Sequence, residues 1–266
     1  VVAWIALSLF ILYVQFGIHE FGHFHMARVN DVPVKEFSLG IGPSIYQKQA
    51  GDTLFSIRIV PLGAYNDFSK EGVEAIAKLP LEVRLLISVM GIVNNLLSSL
   101  ALIFLIQFAG VLTGRLRFLD FLFEMAVTPF RLFLMIARLF IEILSFGRKT
   151  IGVGVYRLPF EWNKNSIFMR GASFFILMGF LLGFSNIIPL MPLDGGRIVL
   201  EFLSLTAISD QVLVIIAFSG ILACVFIFLT SFSYRVSINF AMFDNQPLPG
   251  VKKQEDEKSS EAVSSP

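Results

Sequence analysis

Apolar residues along this chain fall into long blocks separated by mixed stretches, and the blocks set the architecture. Four of them contain no Asp, Glu, Lys or Arg: Val1 to Ile18, Leu85 to Leu112, Gly171 to Leu193 and Gln211 to Tyr234. The hydrocarbon layer of a bilayer asks for roughly 20 apolar residues per helical span, so each block predicts a transmembrane helix. The first is short alone and gains length by continuing into "HEFGHFHMA", which places spans at about 1–28, 85–112, 171–193 and 211–234.

Between the blocks the period changes. In "VKEFSLGIGPSIYQKQAGDTLFSIRIVPLGAY", Phe55, Ile57 and Ile59 alternate with Ser56 and Arg58, and Gly51-Asp52 marks a turn. This predicts a β-hairpin over about 36–65 that pairs Phe37–Tyr46 with Leu54–Val60 and stops at Pro61 and Gly63. A sheet with open edges cannot lie bare in hydrocarbon, so this one belongs inside protein, at the interface or along a wet cavity. Residues 118–144 are apolar except for Asp120, Glu124, Arg131, Arg138 and Glu142, which fall within an arc of about 40° at helical period. That stripe predicts an amphipathic helix lying in the interface or roofing a cavity; the alternative is a span whose stripe faces a bundle interior. Pro129 is expected to bend it. Residues 146–166 read as loop, and 235–266 as a polar, disordered tail.

Composition agrees with the blocks. At 55% hydrophobic and 15% charged residues, with a mean hydropathy of +0.75, the chain is more apolar and less charged than a soluble domain. A net charge of +1 says nothing about nucleic acid, but no stretch reads as a basic recognition helix, so no nucleic-acid partner is expected. The single cysteine, Cys224, excludes an intramolecular disulfide framework and reads as a small apolar core residue. Seven Lys/Arg lie between the first two spans and nine between the second and third, so charge asymmetry leaves the orientation open. The first block is too long for a signal-peptide apolar region, lacks a basic start and runs into His-Glu instead of a cleavage site.

All three histidines sit at the end of the first block. His19-Glu20-Phe21-Gly22-His23 has the H-E-x-x-H spacing, which puts two imidazoles on one helix face where they can grip one Zn²⁺, with Glu20 beside them to activate water. Ionisable groups inside a membrane helix are costly and tend to be functional. His25 is turned about 200° from His23, so it is assigned to a pocket or interface and not to the metal. A catalytic zinc needs a third protein ligand. No histidine remains, and "SNIIPLMPLDGGRIVLEF" offers Asp194, where Pro189 and Pro192 break the helix and Gly195-Gly196 permit a close turn.

Taken together, "HEFGHFHMA", the hairpin stretch, "GIVNNLLSS" and "NIIPLMPLDGG", in this order, resemble the site-2 protease family of intramembrane zinc metalloproteases, peptidase family M50, over about Val1 to Val199. The resemblance implies that His19, His23 and Asp194 bind one zinc per chain and that Glu20 is the catalytic base. It implies an α-helical polytopic membrane protein of about four transmembrane helices, with a membrane-associated β-hairpin inserted partway into the bilayer. It also implies an active site facing the cytosol below the membrane surface, with both termini outside. Three features depart from the family: no stretch between spans two and three reads as a PDZ domain, Gly91 is followed by Ile92 where the family often has proline, and the family's Gly-Pro-x-Gly-Ile segment before span three is reduced to "IGVGV".

The expected reaction is hydrolysis of a peptide bond in or near a transmembrane segment of a membrane protein substrate, with Glu20 moving the proton. An unwound substrate would pair with the strand edge near Leu54–Val60, which makes Phe55, Ile57 and Ile59 candidate substrate contacts. Asn95 and Asn186 are polar groups in apolar surroundings, suited to bonding either an unwound substrate backbone or a neighbouring helix. Clearance of residual signal peptides and a non-catalytic zinc-binding scaffold are the rival readings.

Overall fold

The computed structural model describes residues 2–144, 166–206, 208–209 and 211–226. The order of elements is α1 (Val2–Val29), β1 (Val34–Ala50), β2 (Thr53–Phe68), α2 (Lys70–Lys78), α3 (Leu81–Leu112), α4 (Phe118–Leu144), α5 (Ile167–Ser185) and α6 (Asp194–Leu203). A further helix, α7, covers Gln211–Phe226.

Three of these helices, α1, α3 and α5, are long and apolar enough to cross a membrane. At about 1.5 Å per residue α1 is about 42 Å long and α5 about 28 Å, against roughly 30 Å of hydrocarbon. The excess length of α1 carries the histidines. The fourth predicted span is represented by α7, whose 16 described residues fall short of a crossing, and the rest of that span lies outside the described residues. So does the predicted tail at 235–266, as does nearly all of the predicted loop at 146–166. Cys224, expected in the core, is only half-buried.

The three long helices pack through small residues. A Cβ at Gly22 of α1 would strike the Met90 carbonyl of α3, and one at Gly179 of α5 would strike Ser99 Oγ and lie 2.8 Å from Gln15 Nε2. Without a hydrophobic drive between helices in lipid, such close approach is what packing relies on. α4 joins α3 and α5 through a core of Ile103, Ile106, Leu132, Ile136, Ala172, Ile176 and Phe180. On α4, the buried Phe121, Thr128, Leu132 and Ile136 occupy an arc next to the charged stripe, which therefore borders the packed face. Within the stripe Glu124 pairs with Arg131 at 3.2 Å and accepts a bond from Thr128.

The hairpin differs from expectation in two ways. β2 does not stop at Pro61 and Gly63; it kinks there, with Gly63 at φ +85°, and runs on to Phe68. Moreover, Glu36, Phe37, Ser38 and Leu39 have partners on both sides: Asp67, Asn66, Tyr65 and Ala64 on one, and Leu54, Phe55, Ser56 and Ile57 on the other. Since Thr53–Ile57 also pair with Tyr46–Ala50, the two long strands lie as four short segments side by side, in the order 44–50, 53–60, 34–39, 64–68. The kink follows from chemistry: Pro61 cannot donate to the ladder, and Gly63 adopts a left-handed conformation that an L side chain resists.

The alternation read from the sequence sorts the two faces of this sheet. Phe55 packs with Phe24 and Phe37 at ring distances of 5.6 and 5.8 Å, fastening the sheet to α1. On the other face Ser56 donates to Glu36 and Ser38, and Arg58 donates to Glu36, to Ser38 and to the Gly42 carbonyl. The polar face is thus internally paired, which lets a sheet tolerate surroundings of low polarity.

Candidate metal centre

The end of α1 owes its position to local chemistry on both flanks. Asn30 donates to the Met26 carbonyl, Asp31 takes φ +57°, and Val32 returns to bond the Ala27 carbonyl. Ala27, Val32 and Val34 then form a buried cluster under α2. The last two turns of α1 are thereby clamped between the sheet and α3, with His19 and His23 on the α3 side: His19 is 8% exposed and His23 3%.

Asp194 arrives from the other end of the chain. α5 stops at Ser185, eight residues before the end of the predicted third span, because the Asn186 N–H bonds back to Leu182 and Phe184 and the prolines that follow cannot extend the ladder. The turn closes on itself: Gly195 N–H donates to the Asn186 carbonyl at 2.6 Å, and Asp194 N–H to Asn186 Oδ1 at 3.4 Å. Gly195 and Gly196 are needed for space, since a Cβ at the first would lie 2.5 Å from the Ile188 carbonyl oxygen and one at the second 2.5 Å from the Leu190 carbonyl carbon. Farther along α6, Glu201 pairs with Arg84 of α3 at 2.5 Å, pinning the helix that Asp194 begins.

The result is a triangle of donor atoms drawn from residues about two thirds of the chain apart. His19 Nε2 and His23 Nε2 are 3.2 Å apart, and Asp194 Oδ2 lies 3.0 Å from the first and 3.2 Å from the second. Four-coordinate zinc with bonds near 2.0 Å sets its ligand atoms about 3.3 Å apart, so the edges fit. The hydrogen bonding fits as well. His23 Nδ1 lies 2.7 Å from the Ile87 carbonyl, which can only accept, so Nδ1 carries the proton and Nε2 presents its lone pair. Asp194 Oδ2 is buried with no hydrogen-bond partner. Lone pairs this close repel one another unless a cation lies between them.

Gly91 of α3 supplies the floor. A Cβ there would be 2.7 Å from His23 Cε1 and 2.8 Å from His19 Cε1, so only glycine leaves room for the two rings beside the helix. Glu20 stands on the adjoining side of α1, and with His19 and His23 forms a cluster whose ligand atoms lie within 4.8 Å of one another. Its carboxylate accepts a 2.8 Å bond from Asn66 Nδ2.

The remaining predicted site residues are spread more widely. Asn95 is wholly buried, with both side-chain polar atoms unpartnered, one helical turn beyond Gly91. Asn186 holds the Asp194 turn, donating to the Leu182 carbonyl and accepting from Asp194 N–H. Phe55 is engaged in the aromatic cluster, whereas Ile57 is 36% and Ile59 60% exposed. A free docking edge at Leu54–Ile57 is corrected by the pairing, because those residues have neighbours on both sides. Among the described residues, no strand pairs with the outer side of 64–68, the segment that carries Asn66. His25 is exposed, its ring stacked on Phe21 at 5.9 Å, well apart from the triangle. Gly91 and Asn66 were not expected from the sequence: the first had only its place in the "GIVNN" motif, and the second only an amide after an apolar strand.

Comparison with known proteins agrees with this geometry. Two relatives whose names read "Putative zinc metalloprotease", from Clostridium perfringens and Fusobacterium nucleatum, are each 30% identical, over 99 and 108 residues. These matches cover 35% and 38% of this chain and 30% of each relative; the chain therefore matches about a third of their length. A third, from Clostridium acetobutylicum, is 48% identical over 48 residues, 18% of this chain and 14% of the relative. The profile of peptidase family M50 matches residues 7–230, a stretch that takes in His19, Glu20, His23, Asp194, all of α3 and α5 and most of α1, and the chain belongs to that family.

Proposed function

We propose that this protein is an intramembrane zinc metalloprotease that hydrolyses peptide bonds in or near transmembrane segments of membrane protein substrates. The observation that carries the reading is the triangle of His19, His23 and Asp194, three buried ligand atoms 3.0–3.2 Å apart at the end of an apolar helix. In this reading those three residues hold one zinc per chain and leave a fourth position for reactants, as catalytic zinc sites do. When bound, zinc supplies a Lewis acid that polarises the scissile carbonyl and makes water a stronger nucleophile at neutral pH.

The chain's own groups do the rest. Glu20 takes the proton from the attacking water and returns it to the leaving amine. His23 is held in its metal-binding tautomer by the Ile87 carbonyl. A substrate helix hides its carbonyls and must be unwound, and the open side of 64–68 offers backbone groups to an extended segment beside Glu20. Ile57 and Ile59, exposed on the same sheet, would meet the bilayer or the flank of the substrate. Asn186 serves the turn that carries Asp194, whereas Asn95, buried with both side-chain polar atoms unpartnered, is the amide left to bond an unwound substrate backbone in this reading. The protein sits in the bilayer with its amino terminus outside and its site toward the cytosol.

The test pairs two substitutions in protein reconstituted with a model transmembrane substrate. Glu20→Gln is expected to keep zinc while losing cleavage, because the amide preserves shape but cannot accept the proton; Asp194→Ala is expected to lose both. Cleavage by Glu20→Gln at near wild-type rate, or full zinc retention by Asp194→Ala, would overturn the reading. Photo-crosslinkers placed along 64–68 should capture the substrate, and those along 44–50 should not.

A further inference from the structure

We infer that Asn66 is a positioning residue that holds the base, Glu20, in its working orientation and ties it to the β-sheet; the inference rests on the protease reading above. Asn66 lies on the outermost segment of the sheet, opposite Phe37. Its Nδ2 donates twice to one residue, to the Glu20 backbone carbonyl at 2.9 Å and to Glu20 Oε2 at 2.8 Å. Both acceptors lack hydrogens when the carboxylate is ionised, so only the NH₂ end of the amide can face them, and both of its hydrogens are used.

The geometry has a specific consequence. A glutamate at the surface of a helix chooses among several rotamers, and only those near the donor triangle are useful to the reaction. Bonding to the main chain and to the carboxylate of the same residue removes that freedom, because the amide can satisfy both acceptors only when the side chain folds toward its own backbone. One carboxylate oxygen is spent on Asn66, and Oε1 is left to receive a proton. The bond also runs from the sheet to the helix, from the segment whose outer side no strand covers among the described residues. Displacement of the 64–68 segment would therefore move Glu20.

At the opposite edge of the same sheet Gln49 is an exposed amide that donates to the Gly51 carbonyl at 2.9 Å. It serves as the control. Asn66 Oδ1 is buried and unpartnered, so the protein obtains no hydrogen bond from that end of the amide. A residue present merely to satisfy the fold would be expected to use both ends.

The experiment uses the full chain in proteoliposomes, a fluorogenic transmembrane peptide at several mole fractions, and metal analysis on the same samples. Asn66→Leu removes the donor at similar size, and Asn66→Asp keeps the shape and the acceptor but cannot donate. Both are expected to lower kcat by about 10- to 100-fold, a part of the roughly 10²–10⁴-fold that a positioned acid–base group contributes, with KM within about threefold, zinc content unchanged and thermal midpoint close to wild type. Gln49→Leu is expected to match wild type. The inference is overturned if kcat stays within threefold in both Asn66 variants, if the loss appears in KM alone, or if zinc is lost in proportion to activity. A wild-type protein that cleaves no transmembrane peptide would instead overturn the protease reading, and the two failures are thereby distinguished.

Discussion

Placing a single methyl group on Gly91 should separate zinc binding from folding. In Gly91→Ala the new Cβ would lie 2.7 Å from His23 Cε1 and 2.8 Å from His19 Cε1, where carbon atoms at rest keep about 3.5 Å. The atom nearest the new Cβ is His23 Nε2 itself, and the rings must retreat by at least roughly 0.7 Å, which exceeds the tolerance of about 0.2 Å on metal–ligand distances. Changes of this kind around ligands typically cost 10–100-fold in metal affinity, or about 1.4–2.7 kcal/mol. The same substitution favours the helix by up to about 1 kcal/mol, and in the metal-free protein the rings are free to turn aside. The expected result is a metal-free protein as stable as wild type, together with a sharply reduced zinc-dependent rise in the thermal midpoint. The assay is thermal unfolding in detergent across a zinc series buffered by chelator, with bound zinc measured directly. An unchanged zinc-dependent shift in Gly91→Ala would refute the idea that this glycine exists to admit the imidazoles; a metal-free protein that unfolds would show that the clash falls on the fold instead.

Two further predictions concern the frame around the site. Glu201→Gln should cost about 3 kcal/mol by leaving Arg84 without its partner, the pair being only 16% and 23% exposed, and should weaken zinc binding because Asp194 begins the same helix; the reciprocal exchange Arg84→Glu with Glu201→Arg should restore part of both in melting and metal-content measurements. Burial alone would push the Glu36 carboxyl up, but hydrogen bonds from Ser56 and Arg58 and the Arg58 charge hold it below its ordinary 4.5. Its contribution is therefore complete above about pH 4.5 and is lost as pH falls through the lower folded-state value, so Glu36→Gln should flatten the acid side of the stability profile measured by thermal melts of metal-free protein.

What was legible in the sequence follows from covalent spacing and from solvent. Apolar blocks on the scale of a bilayer's thickness, the first only with its continuation into the histidines, fix α1, α3 and α5 as helices, because in hydrocarbon the backbone must satisfy itself locally. The four-residue interval between His19 and His23 fixes their shared face, since that depends only on helical period. The alternation at Phe55–Ile59 likewise announced a two-faced strand. None of these needs a distant partner. What only the tertiary structure decided are the relations between segments far apart in the chain. Asp194 stands 3.0 Å from His19 because the Asn186 turn, glycines without room for a Cβ and the Arg84–Glu201 pair bring α6 back against α3. The pairing of Leu54–Ile57 on both flanks depends on a kink at Pro61–Gly63 that the sequence presents equally well as an end. Asn66 is a bare amide in the sequence and becomes meaningful only where the sheet folds against Glu20, because a hydrogen bond across 46 residues leaves no local period to read.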